Sequence, residues 1–189
     1  MPLYEVYHSY PLTIEQRQTL AKSITDLHCT TFTTPSFFVH VRFIAHDPRD
    51  QTYFTAGKPR TVNSNRIICT VRTSPARLKS DFETLAGKIE DAWYNAVNGH
   101  TLAGDEFGGE TAIRRLLMVT FIPMVAIREG GMTLPEAGKE NDWLQDQLSF
   151  IKQMSERSGM EDFAEMLQEL KEKKYLKSLL KEGEEPNKF

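Results

Sequence analysis

The sequence predicts an α+β fold: a duplicated β-α-β unit forming a four-stranded sheet with two helices on one face, plus a C-terminal helical extension. Three observations carry this. LAKSITDLH at 20–28 and LAGKIEDAW at 85–93 share Leu, Ala, Ile and Asp at matching places. Each lies in a helical stretch between two runs rich in β-branched and aromatic residues, so the order of elements repeats as well. From about residue 136 the chain becomes charged, Gly-poor and helical in period. Two β-α-β units side by side make a four-stranded sheet with both helices on one face. The other face then needs cover, and oligomerisation is the expected solution.

The first strand is LYEVYH at 3–8, which alternates in the manner of a half-buried strand. Pro2 precedes it and has no N–H to give a sheet ladder. It is therefore either an edge residue that begins the strand or a chemical group: if Met1 is removed, Pro2 carries a free secondary amine. A helix follows from about 13 to 31. It opens TIEQ, in which Thr13 as N-cap and Gln16 three residues on form a capping-box pattern. Its apolar positions are Leu20, Ile24 and Leu27. Strand 36–44 comes next, then a Gly/Pro/Asn-punctuated stretch at 46–65, and strand 66–72.

The second helix is expected from about 75 to 98, with Ser74 as cap and Pro75 at the first helical position. Leu78, Phe82, Leu85, Ile89 and Trp93 are its buried stripe. A loop of Gly and polar residues at 98–111 leads to strand 115–122. Residues 137–182 read as one or two helices whose stripe of Phe163, Met166, Leu167 and Leu170 opposes a Glu/Lys face. The end, EGEEPNKF, is expected to fray.

Composition excludes several classes. The net charge of −3 and the absence of a Lys/Arg stripe interleaved with aromatics argue against a nucleic-acid surface. No apolar run reaches membrane-spanning length, and MPLYEVYHSY has neither the basic start nor the apolar core of a signal peptide. Cys29 and Cys69 lack CxxC spacing and read as reduced thiols of a cytoplasmic protein. The five histidines are scattered without ligand spacing, so no metal site is expected. FGGE and REGG match no phosphate-binding fingerprint. What remains is the amino terminus and the polar residues that a β-α-β duplication gathers near it.

PLYEVY at 2–7, LAKSITDLH at 20–28, Arg77 near the start of the second helix and PMVAIREGGMTLPEAGKENDW at 123–143 together carry a resemblance. The chain resembles the tautomerase superfamily, and within it the cis-3-chloroacrylic acid dehalogenase-like branch, over about residues 2–145. The resemblance implies a tautomerase-like domain at 1–145, with repeats at about 2–62 and 63–135, and an extension at 146–189. It implies Pro2 as the catalytic amine, Glu129 as the carboxylate facing it, and His28 and Arg77 as binders of a substrate carboxylate.

Two family positions differ: a second arginine aligns with Ser74, for which nearby Arg72 is the candidate substitute, and a tyrosine used in dehalogenation aligns with Met118. Proton-transfer chemistry is therefore favoured over dehalogenation. The implied protein is an isomerase, a homotrimer that tautomerises a small 2-oxo or unsaturated carboxylic acid with no metal or organic cofactor. Leu3 and Phe37 would supply dry walls for the amine. Two alternatives stand beside it. One is hydration, decarboxylation or weak dehalogenation of 3-substituted acrylic or acetylenic acids, with Glu129 activating water. The other is a non-catalytic trimeric interaction protein working through its C-terminal helices.

Overall fold

The computed structural model describes residues 2–60, 64–97 and 109–172. Met1, most of the expected 98–111 loop and the chain from 173 onward, including the end expected to fray, lie outside the described residues. The chain divides into two compact units, Met1–Met124 and Val125–Phe189.

The first unit contains strand β1 (Leu3–His8), helix α1 (Ile14–Phe32) and strand β2 (His40–Ala45), then a two-stranded ribbon of β3 (Phe54–Thr55) and β4 (Lys58–Pro59). Strand β5 (Asn65–Val71), helix α2 (Lys79–Ala96) and strand β6 (Leu116–Pro123) complete it. The sheet order is β2-β1-β5-β6. β1 pairs with β2 in parallel, β5 with β6 in parallel, and the two inner strands β1 and β5 run antiparallel. Each half is thus a β-α-β unit, joined to the other through its first strand, as the repeat at 20–28 and 85–93 predicts.

Strand alternation sorts the side chains. Tyr4, Val6 and His8 of β1 and Ile67, Cys69 and Val71 of β5 are buried, while their neighbours are half-buried. Leu20 and Ile24 from α1 join Leu85, Ile89 and Trp93 from α2 in one core with Tyr4, Val6, Ile67 and Cys69. Both helices therefore cover the same sheet face. The Thr13–Gln16 capping box forms: Gln16 N–H donates to Thr13 Oγ1 (3.2 Å) and Thr13 N–H to Gln16 Oε1 (2.9 Å). At the far end of the sheet the buried amide of Asn65 ties three segments together. It accepts from the N–H groups of Ser9 and Tyr10 (2.9 and 3.0 Å) and donates to the carbonyls of Ile113 and Arg115 (2.7 and 2.9 Å).

Two local expectations differ from what forms. α2 begins at Lys79, four residues past the expected start at Pro75, and Leu78 is exposed rather than part of the stripe. Ser74–Arg77 is instead a turn closed by Arg77 N–H donating to the Ser74 carbonyl (3.0 Å). Ser first and Pro second is a favoured β-turn order, since proline's fixed φ suits the second position. The helix takes its cap from Asp81, whose carboxylate accepts from Leu78 N–H (2.8 Å). Upstream of β2, residues Ser36–Phe38 form a 3-10 turn, so this strand starts at His40.

The second unit opens with a hairpin of β7 (Arg128–Glu129) and β8 (Met132–Thr133). Its turn is Gly130–Gly131, at φ +54° and +84°, the left-handed conformations a two-residue hairpin loop requires. Helices α3 (Glu140–Ser155) and α4 (Glu161–Glu172) follow, with Phe163, Met166 and Leu170 buried and Leu167 half-buried. Trp143 Nε1–H donates to the Thr133 carbonyl (2.8 Å), fastening α3 to the hairpin. Among the described residues no helix is long and apolar enough to cross a membrane.

Candidate active site

His28 is the fixed point of the site. It stands one and two helical turns beyond Ile24 and Leu20, so α1 buries it with the core stripe, 1% exposed. A buried imidazole needs partners. Tyr4, from the inward-facing set of β1, supplies one: its Oη lies 2.7 Å from His28 Nδ1, with both groups buried. Burial keeps the phenol well above its usual titration range. Among the described residues Tyr4 Oη has no other partner, so its proton goes to Nδ1 and the imidazole carries its own proton on Nε2. Burial first, then the charges of Arg77 and Arg72, lowers the His28 pKa to about 3. At neutral pH it is an uncharged N–H donor.

Arg77 closes the Ser74 turn and lays its guanidinium 4.8 Å over the Phe32 ring, with Nη1 donating to the Arg72 carbonyl (3.4 Å). Phe32 in turn stands 5.0 Å from the His28 ring. Arg72, 8% exposed, follows β5 directly. The turn also buries Ser74 Oγ with no hydrogen-bond partner among the described residues.

Pro2 is buried, and its carbonyl accepts from His40 N–H (3.0 Å). Leu3 pairs opposite Thr70, so continuing the antiparallel register by one step sets Pro2 opposite Val71, next to Arg72 in sequence. Having no N–H, the proline leaves no ladder donor unpaired there. Pro2, His28, Arg72 and Arg77 thus all belong to the first unit, near the amino end of β1 and the carboxyl end of β5. Glu129 belongs to the second unit, half-buried on β7 beside the Gly130–Gly131 turn. Met118 is exposed on β6 and alternates with Val119 and Phe121. Phe37 packs edge-on against Phe38, ring centroids 4.4 Å apart. Trp93, which occupies the place of His28 in the second repeat, is core: fully buried, with Nε1–H donating to the Arg114 carbonyl (2.7 Å).

Sequence reading missed Tyr4 and Phe32. The signal was present for Tyr4: an alternating strand with Tyr at an inward place, and a histidine in register with Leu20 and Ile24 that would need a buried partner.

Two β-α-β units joined antiparallel through their first strands place the chain in one fold class, and the comparisons name its family. Residues 1–147 match the profile of the family Tautomerase_3, described as "Putative oxalocrotonate tautomerase enzyme". The chain belongs to that family. Among solved structures it is similar to N1, a member of the cis-3-chloroacrylic acid dehalogenase family, at 22% identity over 78% of this chain and 99% of that one, TM-score 0.54. It is similar to MIF2 of Leishmania major at 15% identity over 71% and 97% of the two chains, TM-score 0.52. A fused 4-OT wild-type asymmetric trimer aligns at 14% identity over 69% and 94%, TM-score 0.50. At these identities the likeness is one of fold. No curated protein matches the chain.

Proposed function

We propose that the protein is a tautomerase in which the amino group of Pro2, exposed by removal of Met1, moves a proton on a small 2-oxo or unsaturated carboxylic acid. The amine removes a proton from C3, the released pair forms the C2–C3 double bond as the carbonyl π pair moves onto oxygen, and the Pro2 ammonium returns that proton to the oxygen to give the enol. The reverse transfer regenerates the keto acid. His28 Nε2–H and the guanidinium of Arg77, with Arg72 beside it, hold the carboxylate and offset charge as the enolate develops. Glu129 is proposed as the second catalytic group, and the working assembly as a cytoplasmic homotrimer.

The observation that carries the reading is the buried, Tyr4-held imidazole of His28 near two arginines, in one unit with a buried Pro2. An α-amine titrates near pH 8, far below a lysine. Burial and nearby guanidinium groups both disfavour its charged form, which suits a base working near neutrality. Exposed Met118 and Ile122 on β6 support packing against a further subunit.

The test is an enol–keto assay with a 2-oxo acid on the wild type and Pro2→Ala, together with intact mass. Loss of Met1 and a fall in kcat/KM of about a hundredfold or more on replacing Pro2 are expected, within the range general base catalysis supplies. Unchanged turnover by the Pro2→Ala protein, or Met1 retained in active protein, overturns the mechanism.

A further inference from the structure

Beside the carboxylate-binding groups lies a groove of about 430 Å3 between the start of α2 and the outer strand β6. Its floor is apolar: Val71, Phe82, Ala86, Val119 and Phe121, with the Phe82 and Phe121 rings 5.2 Å apart. Thr73, Arg77, Lys79 and Glu83 are the polar residues of its lining. Of these, Lys79 pairs with Glu83 along α2, while Arg77 stacks on Phe32. Two features join the groove to the candidate active site. Arg77 lines the groove and also stacks on Phe32, which touches His28 and packs 5.0 Å from Phe82. Val71, a wall of the groove, is the residue set opposite Pro2 by the sheet register.

A volume of this size is far more than a pyruvate-sized acid needs. At about 30 Å3 per water in the liquid, it would hold on the order of a dozen waters over a largely apolar floor. It falls in the range of about 300–1,000 Å3 typical of sites that enclose organic ligands with a few fixed polar groups. Charge sets the orientation. An acid with its carboxylate at Arg77 would run its tail over Phe82, Val119 and Phe121, whereas the reverse pose buries a charge on the apolar floor.

We infer that this groove is a tail subsite, and that the substrate is an amphipathic 2-oxo acid carrying an unbranched apolar chain of roughly six to ten carbons. This inference deepens the tautomerase reading and rests on it for the reaction, while binding in the groove can be measured without turnover. Each methylene moved from water into the groove is worth about a threefold to fourfold gain in kcat/KM until the floor is covered.

The experiment has two arms. In the first, kcat/KM is measured for 2-oxobutanoate, 2-oxohexanoate and 2-oxooctanoate on the wild type and on two groove-filling variants, Ala86→Phe and Val119→Phe. The expected result is a steep rise with chain length in the wild type. In a folded variant the slope flattens, with the 2-oxobutanoate value kept. In the second arm, binding of unreactive octanoate and butyrate is followed by ligand-observed NMR, with sedimentation reporting assembly.

Octanoate binding that the fillers abolish establishes the subsite even if no acid turns over, in which case only the tautomerase reading falls. Turnover without chain-length dependence, together with no preference for octanoate over butyrate, overturns the subsite and leaves the reading intact. Fillers that dissociate the assembly while chain length has no effect also overturn it, and assign the groove to a second copy of the chain.

Discussion

Tyr4 Oη donates to His28 Nδ1 across 2.7 Å, joining the first strand to the first helix inside the core. That bond decides which nitrogen of His28 carries the proton. In Tyr4→Phe the ring packing stays but Nδ1 loses its donor, and the proton redistributes between the two nitrogens. The expected outcome is a tautomer change in the 15N shifts of the His28 imidazole and a rise in KM for the 2-oxo acid of about tenfold, roughly one hydrogen bond to a charged group. kcat should change less. Imidazole shifts identical to wild type would sink the positioning role.

His28 also makes stability depend on pH. The unfolded imidazole takes up a proton near pH 6.5, whereas the folded one resists until about pH 3. Between those values the unfolded state binds more protons, so this stabilisation is complete above pH 6.5 and is lost as pH falls through that window. His8, also buried and shifted downward by desolvation, acts in the same direction. Urea unfolding at pH 7, 6 and 5 should show midpoints falling with acid, by up to about 1.4 kcal/mol per pH unit for His28. His28→Gln should be less steep; an equal slope would remove His28 as the cause.

Asn65 holds the β1–α1 connection and the approach to β6 through one buried amide. Asn65→Ala leaves two N–H groups and two carbonyls to find other partners. A loss of about 3 kcal/mol is expected in chemical denaturation, since buried polar groups left unpaired cost about 1–3 kcal/mol each and partial hydration recovers some of it. A loss below about 1 kcal/mol would mean water replaces the amide.

Among the described glycines of the second unit, Gly130 leaves the least room for a Cβ. A Cβ there would stand 2.9 Å from the Phe163 ring, at a φ of +54° that side chains disfavour. Gly130→Ala is expected to cost about 1–3 kcal/mol from left-handed strain and displacement of the ring. Amide exchange across Arg128–Thr133 should accelerate correspondingly. Gly131→Ala should cost less, because its Cβ meets Phe150 at an ordinary 3.6 Å. Equal effects at the two glycines would remove Phe163 as the reason.

The architecture was legible because it rests on local and periodic signals. LYEVYH alternates as a strand buried on one side, TIEQ forms the cap it spells, and the repeated LA..I.D helices report the duplication that orders the sheet β2-β1-β5-β6. The start of α2 was misread because SPAR satisfies two rules at once. Ser–Pro opens a helix as readily as a turn, and only the later Asp81 carboxylate on Leu78 N–H resolves the choice.

For the candidate site, the sequence by itself determined where candidates stand: a proline at position 2, His28 on the α1 stripe, arginines after β5 and Glu129 beside the Gly130–Gly131 turn. Tertiary structure alone decided the partners. Tyr4 and His28 are far apart in sequence and meet because strand alternation and helical period both turn them toward one core. Val71, Phe82 and Phe121 come from three elements and line a groove that no single segment encodes. Composition and period report which face of an element is buried; what meets across that buried face depends on how the elements pack.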